Sequence, residues 1–202
     1  KKKKITSVDK QMLPNFELEQ KIITETREWS AQALEIANPN YNGLPACPFA
    51  KKAWSEDRVG ITFKYDADWQ HLYKLISQWD DTKDVVVLID FSPLPLDELD
   101  QYLDKLNDAI AEGFFINRDM FLMGFHPDDD ENEFLDDEDF ISTVEESYAM
   151  IFLQRLSKLE EASVTLRKNG YYQDCDEYYD NGGGYEKRQQ LYRRLKGHGK
   201  KS

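Results

Sequence analysis

Three side chains in this sequence suit covalent or acid–base chemistry and stand where a fold could gather them: Cys47, Asp90 and His126. Cys47 lies in Leu44-Pro45-Ala46-Cys47-Pro48-Phe49-Ala50-Lys51-Lys52. The two prolines stiffen the backbone, and a helix starting just after the cysteine would turn amides and lysines toward the sulfur and favour thiolate. The competing reading is a packed thiol, because free cysteine behaves as a small apolar residue. Asp90 ends the run Val85-Val86-Val87-Leu88-Ile89, and His126 sits in Gly124-Phe125-His126-Pro127. Imidazole serves as a base, a metal ligand or a buried hydrogen-bonding group. Proline after it favours an extended backbone that would hold the ring in one direction. One pocket holding all three would use Cys47 as nucleophile or ligand, His126 as base or ligand, and Asp90 as the orienting group.

Oxygen ligands are also abundant. Residues 128–139 contain nine carboxylates in twelve positions. Carboxylates of this kind hold Mg²⁺ or Ca²⁺, and His126, Asp128 and Asp130 are the candidates for a divalent cation. The run lacks the glycine and regular spacing of an EF-hand loop, so its default reading is a solvated acidic loop. No P-loop, G-x-G-x-x-G, G-x-S-x-G or H-E-x-x-H motif occurs, which removes the common nucleotide-binding and hydrolase classes. Two cysteines, Cys47 and Cys175, make no disulfide framework, and with no Cys-x-x-Cys a structural zinc site is not expected. A reducing, cytoplasmic setting is the expectation.

The elements that would position these groups can be read from periodicity. Asn15 caps a helix over roughly 16–37, ended by the proline- and glycine-containing stretch 38–45. Val59, Ile61, Phe63 and Tyr65 alternate as a half-buried strand. Asp66 or Asp68 caps the next helix, with Trp69, Leu72, Tyr73, Ile76 and Trp79 on one face. The run 85–89 lacks alternation, which predicts a strand covered on both faces. Leu96, Leu99, Leu103, Leu106 and Ile110 recur at helical spacing, and 120–125 is a third strand. Thr143 with Glu146 matches a capping box, predicting a helix that carries Met150, Ile151, Leu153, Leu156, Leu159 and Leu166.

Strands alternating with helices predict an α/β fold: a small, mainly parallel sheet of three or more strands sandwiched by helices. A fourth strand is sought in 44–56 or in a second chain. Residues 1–14 read as a basic N-terminal segment, 15–170 as one α/β domain, and 171–202 as a Tyr-rich and basic C-terminal extension with a short helix over 185–196. In such sheets sites gather at the carboxyl ends of strands, which here carry Tyr65 and Asp66, Asp90 and His126.

The net charge of −13 is unevenly placed. Residues 1–10 hold five Lys and one Asp, and 185–202 hold seven Lys or Arg and one Glu, so the body carries about −23. A body this acidic repels nucleic acid and anionic membranes and suits a basic protein surface. No run approaches the roughly 18 apolar residues of a membrane span, and no apolar segment of leader type follows Lys1–Lys4.

The Cys47-Pro48-Phe49-Ala50 motif after a Trp-bearing helix, the long amphipathic helix before the third strand, and the ending Phe125-His126-Pro127 resemble the bacterial domain-of-unknown-function family 1415. The resemblance covers about residues 20–170. It lends no mechanism, because the family has no established activity, and it carries over Cys47, Pro48, Phe49 and His126 alone. Family members continue after Phe-His-Pro with an aromatic and Asn/Arg/Ser/Pro/Tyr-rich stretch, and this chain has its acidic run there instead. Three functions follow from the sequence: an enzyme using Cys47, His126 and Asp90, a non-catalytic acidic module that binds a basic partner, or a homo-oligomer built through its tyrosine-rich tail.

Overall fold

A computed structural model describes residues 13–115, 118–129, 140–173 and 184–198. The side chain of Asn15 accepts the N–H groups of Glu17 and Leu18, starting helix α1 (Phe16–Trp29) as expected for a capping asparagine. The helix continues as one π-helical stretch, Ser30–Leu34, and stops short of the expected residue 37. Asn42 and Gly43, both with positive φ, then reverse the chain. The segment searched for a hidden strand forms helix α2 (Ala50–Ser55) instead.

The remaining elements are β1 (Val59–Lys64), α3 (Gln70–Ser77), β2 (Val85–Asp90), α4 (Leu96–Ala111), β3 (Phe121–Phe125), β4 (Ala149–Gln154), α5 (Leu156–Lys168) and α6 (Gly184–His198). The four strands form one sheet in the order β1-β2-β4-β3. β1 pairs with β2 in parallel, whereas β4 runs antiparallel to both β2 and β3. The α/β class stands. The expected mainly parallel sheet is corrected to a mixed one: β1, β2 and β3 point the same way, and β4 opposes them from between β2 and β3.

The missing strand comes from the region read as one long helix after Thr143. Ala149, Ile151 and Leu153 are fully buried on one face of β4, and Met150 and Phe152 pack on the other. A strand covered on both faces is apolar at every position, and periodicity alone does not separate such a run from a buried helix. Thr143 caps nothing in a helix; its N–H and hydroxyl are given to Glu25. The helix begins only at Leu156.

One face of the sheet presents Leu88, Leu122, Ala149, Ile151 and Leu153 to Leu72 and Ile76 of α3 and to Leu99, Leu103, Leu106 and Ile110 of α4. The other face packs Val87 and Ile89 against Leu18 and Ile22 of α1. Strand β2 is therefore covered on both sides, as its unbroken β-branched run predicts. Helix α4 also comes close to β3 at Gly124, where an added Cβ would lie 2.7 Å from Leu103 Cδ1. At the amino edge of the sheet Arg58 grips Asp84 with two 2.7 Å bonds, and Lys158 adds a third at 2.6 Å.

The start of the C-terminal extension packs on its own chain. Tyr171 stacks on Tyr41 with ring centroids 4.7 Å apart, and Tyr172 and Tyr185 complete the cluster. Tyr178 and Tyr179 lie outside the described residues. Helix α6 is longer than expected and lies against α4 and α5. Among the described residues no helix is long and apolar enough to cross a membrane.

Candidate functional site

The carboxyl edge of the sheet is built by register. Parallel pairing sets Lys64 beside Asp90, and antiparallel pairing sets Ala149 on the far side of Asp90. Side chains at paired positions share a face, so the last residues of β1 and β2 turn a cation and an anion toward each other. Lys64 Nζ lies 2.8 Å from Asp90 Oδ1, with the two side chains 1% and 0% exposed. The ammonium also donates to Ser92 O at 3.3 Å and sits 4.5 Å from the centre of the Trp69 ring. Asp90 Oδ1 further accepts the Ser92 N–H, whereas Asp90 Oδ2 is buried with no hydrogen-bond partner. A carboxylate so enclosed orients the loop after β2 and reaches no solvent.

His126 follows β3 at the same edge, and its side chain is 5% exposed. The Asp128 N–H donates to Nδ1 at 3.1 Å. That fixes the proton on Nε2, which donates to Leu94 O at 3.0 Å. Both ring nitrogens are thus spent on backbone, tying the turn after β3 to the loop after β2. The ring makes no hydrogen bond to Asp90, whose side-chain hydrogen-bond partners are Lys64 and Ser92.

Cys47 stands elsewhere. Its N–H donates to Leu34 O at the far end of the helix that begins near Tyr65, and its carbonyl accepts the Ala50 N–H. Tyr65, by contrast, follows β1 at the carboxyl edge and binds Glu19 and Asn15 near the start of α1. Burial pushes the Cys47 thiol above its usual pKa. The Phe49 and Ala50 amides pull the other way, and Glu35 adds to the rise. Of the two readings of Cys47, the raised pKa favours the packed thiol over an activated one: α2 is only six residues long, and desolvation outweighs the Phe49 and Ala50 amides. The structure brings Asp90 and His126 to one edge, whereas Cys47 is tied to Leu34, at the end of the first helix opposite to the one that meets Tyr65.

The cation site lacks a ligand set among the described residues. No three His, Cys, Asp or Glu side chains gather in a way that would hold a metal ion there. Asp128 is exposed, with Oδ2 3.8 Å from His126 Nδ1, and Asp130 lies outside the described residues. The strand-end acid Asp66 serves as a turn former, accepting the Asp68 N–H.

Two features carry polar chemistry that the sequence reading did not weigh. Lys64 is the first, and only the register with Asp90 reveals it. The second is Glu25 on α1. Burial raises its pKa, but the hydroxyls of Ser142 and Thr143, the Thr143 N–H and Lys21 outweigh that and hold it below the usual carboxylate range. This knot pins the chain ahead of β4 to α1 and borders a surface groove of about 380 Å³ lined by Gln20, Lys21, Glu28 and Ile141. A second groove of about 230 Å³ lies between α5 and α6. Neither includes Cys47, Asp90 or His126.

The other polar concentration is an acidic ridge. Asp97, Glu98 and Asp100 lie along the first half of α4, Asp104 opens its second half, and the turn after β3 adds Asp128 and Asp129. Burial raises the pKa of Asp100, and Asp129, Asp104 and Asp97 raise it further, which shows that helix and turn form one field. Among the described residues no lysine or arginine is ion-paired with Asp97, Glu98, Asp100, Asp128 or Asp129. No family model, no curated protein and no solved structure matches this chain.

Proposed function

We propose that this protein is a non-catalytic acidic interaction module that binds a basic protein surface through the first half of α4 and the turn after β3. The observation that carries the reading is the cluster around Asp100: Asp97 and Asp100 of α4 and Asp129 of the turn after β3 share one field, none of them ion-paired with a lysine or arginine among the described residues, and burial with these neighbours raises the Asp100 pKa. Like charges held together cost free energy that a basic partner recovers on docking, and they speed its approach. The catalytic reading has less support. Asp90 is spent on Lys64, His126 on two backbone groups, and Cys47, its pKa raised by burial, is bonded to Leu34 at the end of the first helix.

The resemblance to domain-of-unknown-function family 1415 fits this reading as a set of structural motifs. Phe125-His126-Pro127 ties two edge loops together, and Cys47-Pro48-Phe49-Ala50 turns the chain into α2. The test uses a fluorescent oligolysine peptide and the full chain at low salt. Binding should weaken steeply as salt rises and fall about ten-fold or more in D97K/D100K/D129K. An oligolysine that binds wild type and the triple variant alike would remove the proposal.

A further inference from the structure

The second half of α4 shows what an occupied stretch of the same surface looks like. Asp104, Asp108 and Glu112 follow one another at four-residue spacing, so they line one face of the helix. The basic helix α6 lies over them. Lys187 pairs with Asp104, and Arg194 pairs with both Asp108 and Glu112. On the α5 side Arg188 reaches Glu160 at 3.1 Å and Ser163 at 2.6 Å. The apolar contribution is small. Of the described side chains of α6 only Tyr185 and Leu191 are buried, with Tyr192 and Leu195 partly covered against Ala111 and Leu156. The fit is also imperfect, because Arg194 Nε is buried with no hydrogen-bond partner. Tyr185 and Arg188 anchor the helix on the α5 side, whereas its α4 side is held by half-exposed ion pairs of the weak surface kind and is lightly seated.

We propose that the face formed by Asp104 and Asp108 of α4, Glu112 at its C-cap and Glu160 of α5 is a docking surface for a basic amphipathic helix of another protein, and that α6 is its resident, exchangeable occupant. This rests on the acidic-module reading and extends it: the partner is a helix with cations about seven residues apart, as Lys187 and Arg194 are, flanking a leucine-type anchor. The bound α6 then lowers the apparent affinity for the partner in proportion to the fraction of chains in which the face is covered.

The probe is a labelled peptide with the sequence of residues 184–198, added to the full chain and followed by fluorescence anisotropy. The variant K187E/R194E loosens α6 through two side chains that are 43% and 40% exposed and leaves α4 intact. The peptide should bind this variant on the order of ten-fold more tightly than wild type. Adding D104N/D108N should abolish that gain. Equal affinity for wild type and variant, or binding indifferent to Asp104 and Asp108, would overturn the proposal.

Hydrogen exchange on the unaltered chain gives a second readout. Between about 0.1 M and 1 M salt the screening length falls from about 10 Å to about 3 Å. The amides of 185–197 should lose protection over that range while those of β2 keep theirs. Protection of α6 equal to that of β2 at every salt concentration would overturn the proposal too. A mass that doubles with concentration, without peptide binding, would assign the face to a second copy and likewise end it. Oligolysine binding at Asp97, Asp100 and Asp129 with no exchange of α6 leaves the module reading standing and this inference refuted. Peptide binding at Asp104 and Asp108 without oligolysine binding does the reverse.

Discussion

Replacing Lys64 with methionine removes the cation from a fully enclosed ion pair and leaves the rest of the edge in place. In wild type Lys64 Nζ stands 2.8 Å from Asp90 Oδ1, with side chains 1% and 0% exposed. In K64M, Asp90 would keep one N–H, from Ser92, for a carboxylate whose other oxygen already has no partner. Breaking such a pair by removing one member costs about 3–5 kcal/mol, since the remaining charge stays buried and uncompensated. A chain of this size loses roughly 2–4 °C of melting temperature per kcal/mol, so a fall of roughly 6–20 °C is expected.

The double variant K64M/D90L removes both charges. Replacing a buried pair with apolar groups is often neutral or stabilising, so the double variant should recover most of the loss. A double-mutant cycle in urea then isolates the coupling. Tryptophan fluorescence reports it directly, because the ammonium lies over Trp69 at 4.5 Å. If K64M alone unfolds within about 1 kcal/mol of wild type, the pair is not buried as described and the reasoning fails.

Three further outcomes follow from the same geometry. Arg58, first, and Lys158 hold the Asp84 carboxyl well below the usual range, against a desolvation that raises it. Its stabilising effect is therefore present above the unfolded carboxylate pKa of about 3.9 and is lost as pH falls through the lower folded value. D84N should cost about 1–2 kcal/mol at neutral pH, and the gap from wild type in pH-dependent melts should close in strong acid. Cys47, with its pKa raised, should be alkylated more slowly than glutathione near neutral pH, and H126A should leave that rate unchanged. A rate that drops in H126A would restore the shared-pocket reading. G124A drives a Cβ toward Leu103 Cδ1 at 2.7 Å and should cost about 1–3 kcal/mol in thermal melts, unless Leu103 turns aside freely.

Local signals in the chain determined most of the elements. Asn15 announced the start of α1, the spacing of Leu99, Leu103, Leu106 and Ile110 announced α4, and the unbroken run 85–89 announced a strand covered on both faces. Each signal acts within a few residues, where the period of the backbone is the only geometry involved. The tertiary structure decided the rest. Whether 149–154 is helix or strand depends on a slot between β2 and β3 that no local pattern describes. Pairing across that slot supplies the hydrogen bonds that choose strand over helix for a run apolar at every position. The candidate site turned on the same kind of information. Lys64 and Asp90 are 26 residues apart and meet only through parallel register. For Cys47 the neighbouring prolines, amides and lysines left an activated sulfur and a packed thiol both open. Its environment is set by Leu34, Glu35 and partial burial, which come from folding. Charge, periodicity and caps are properties of neighbours along the chain, whereas register, desolvation and ion-pair partners are properties of neighbours in space.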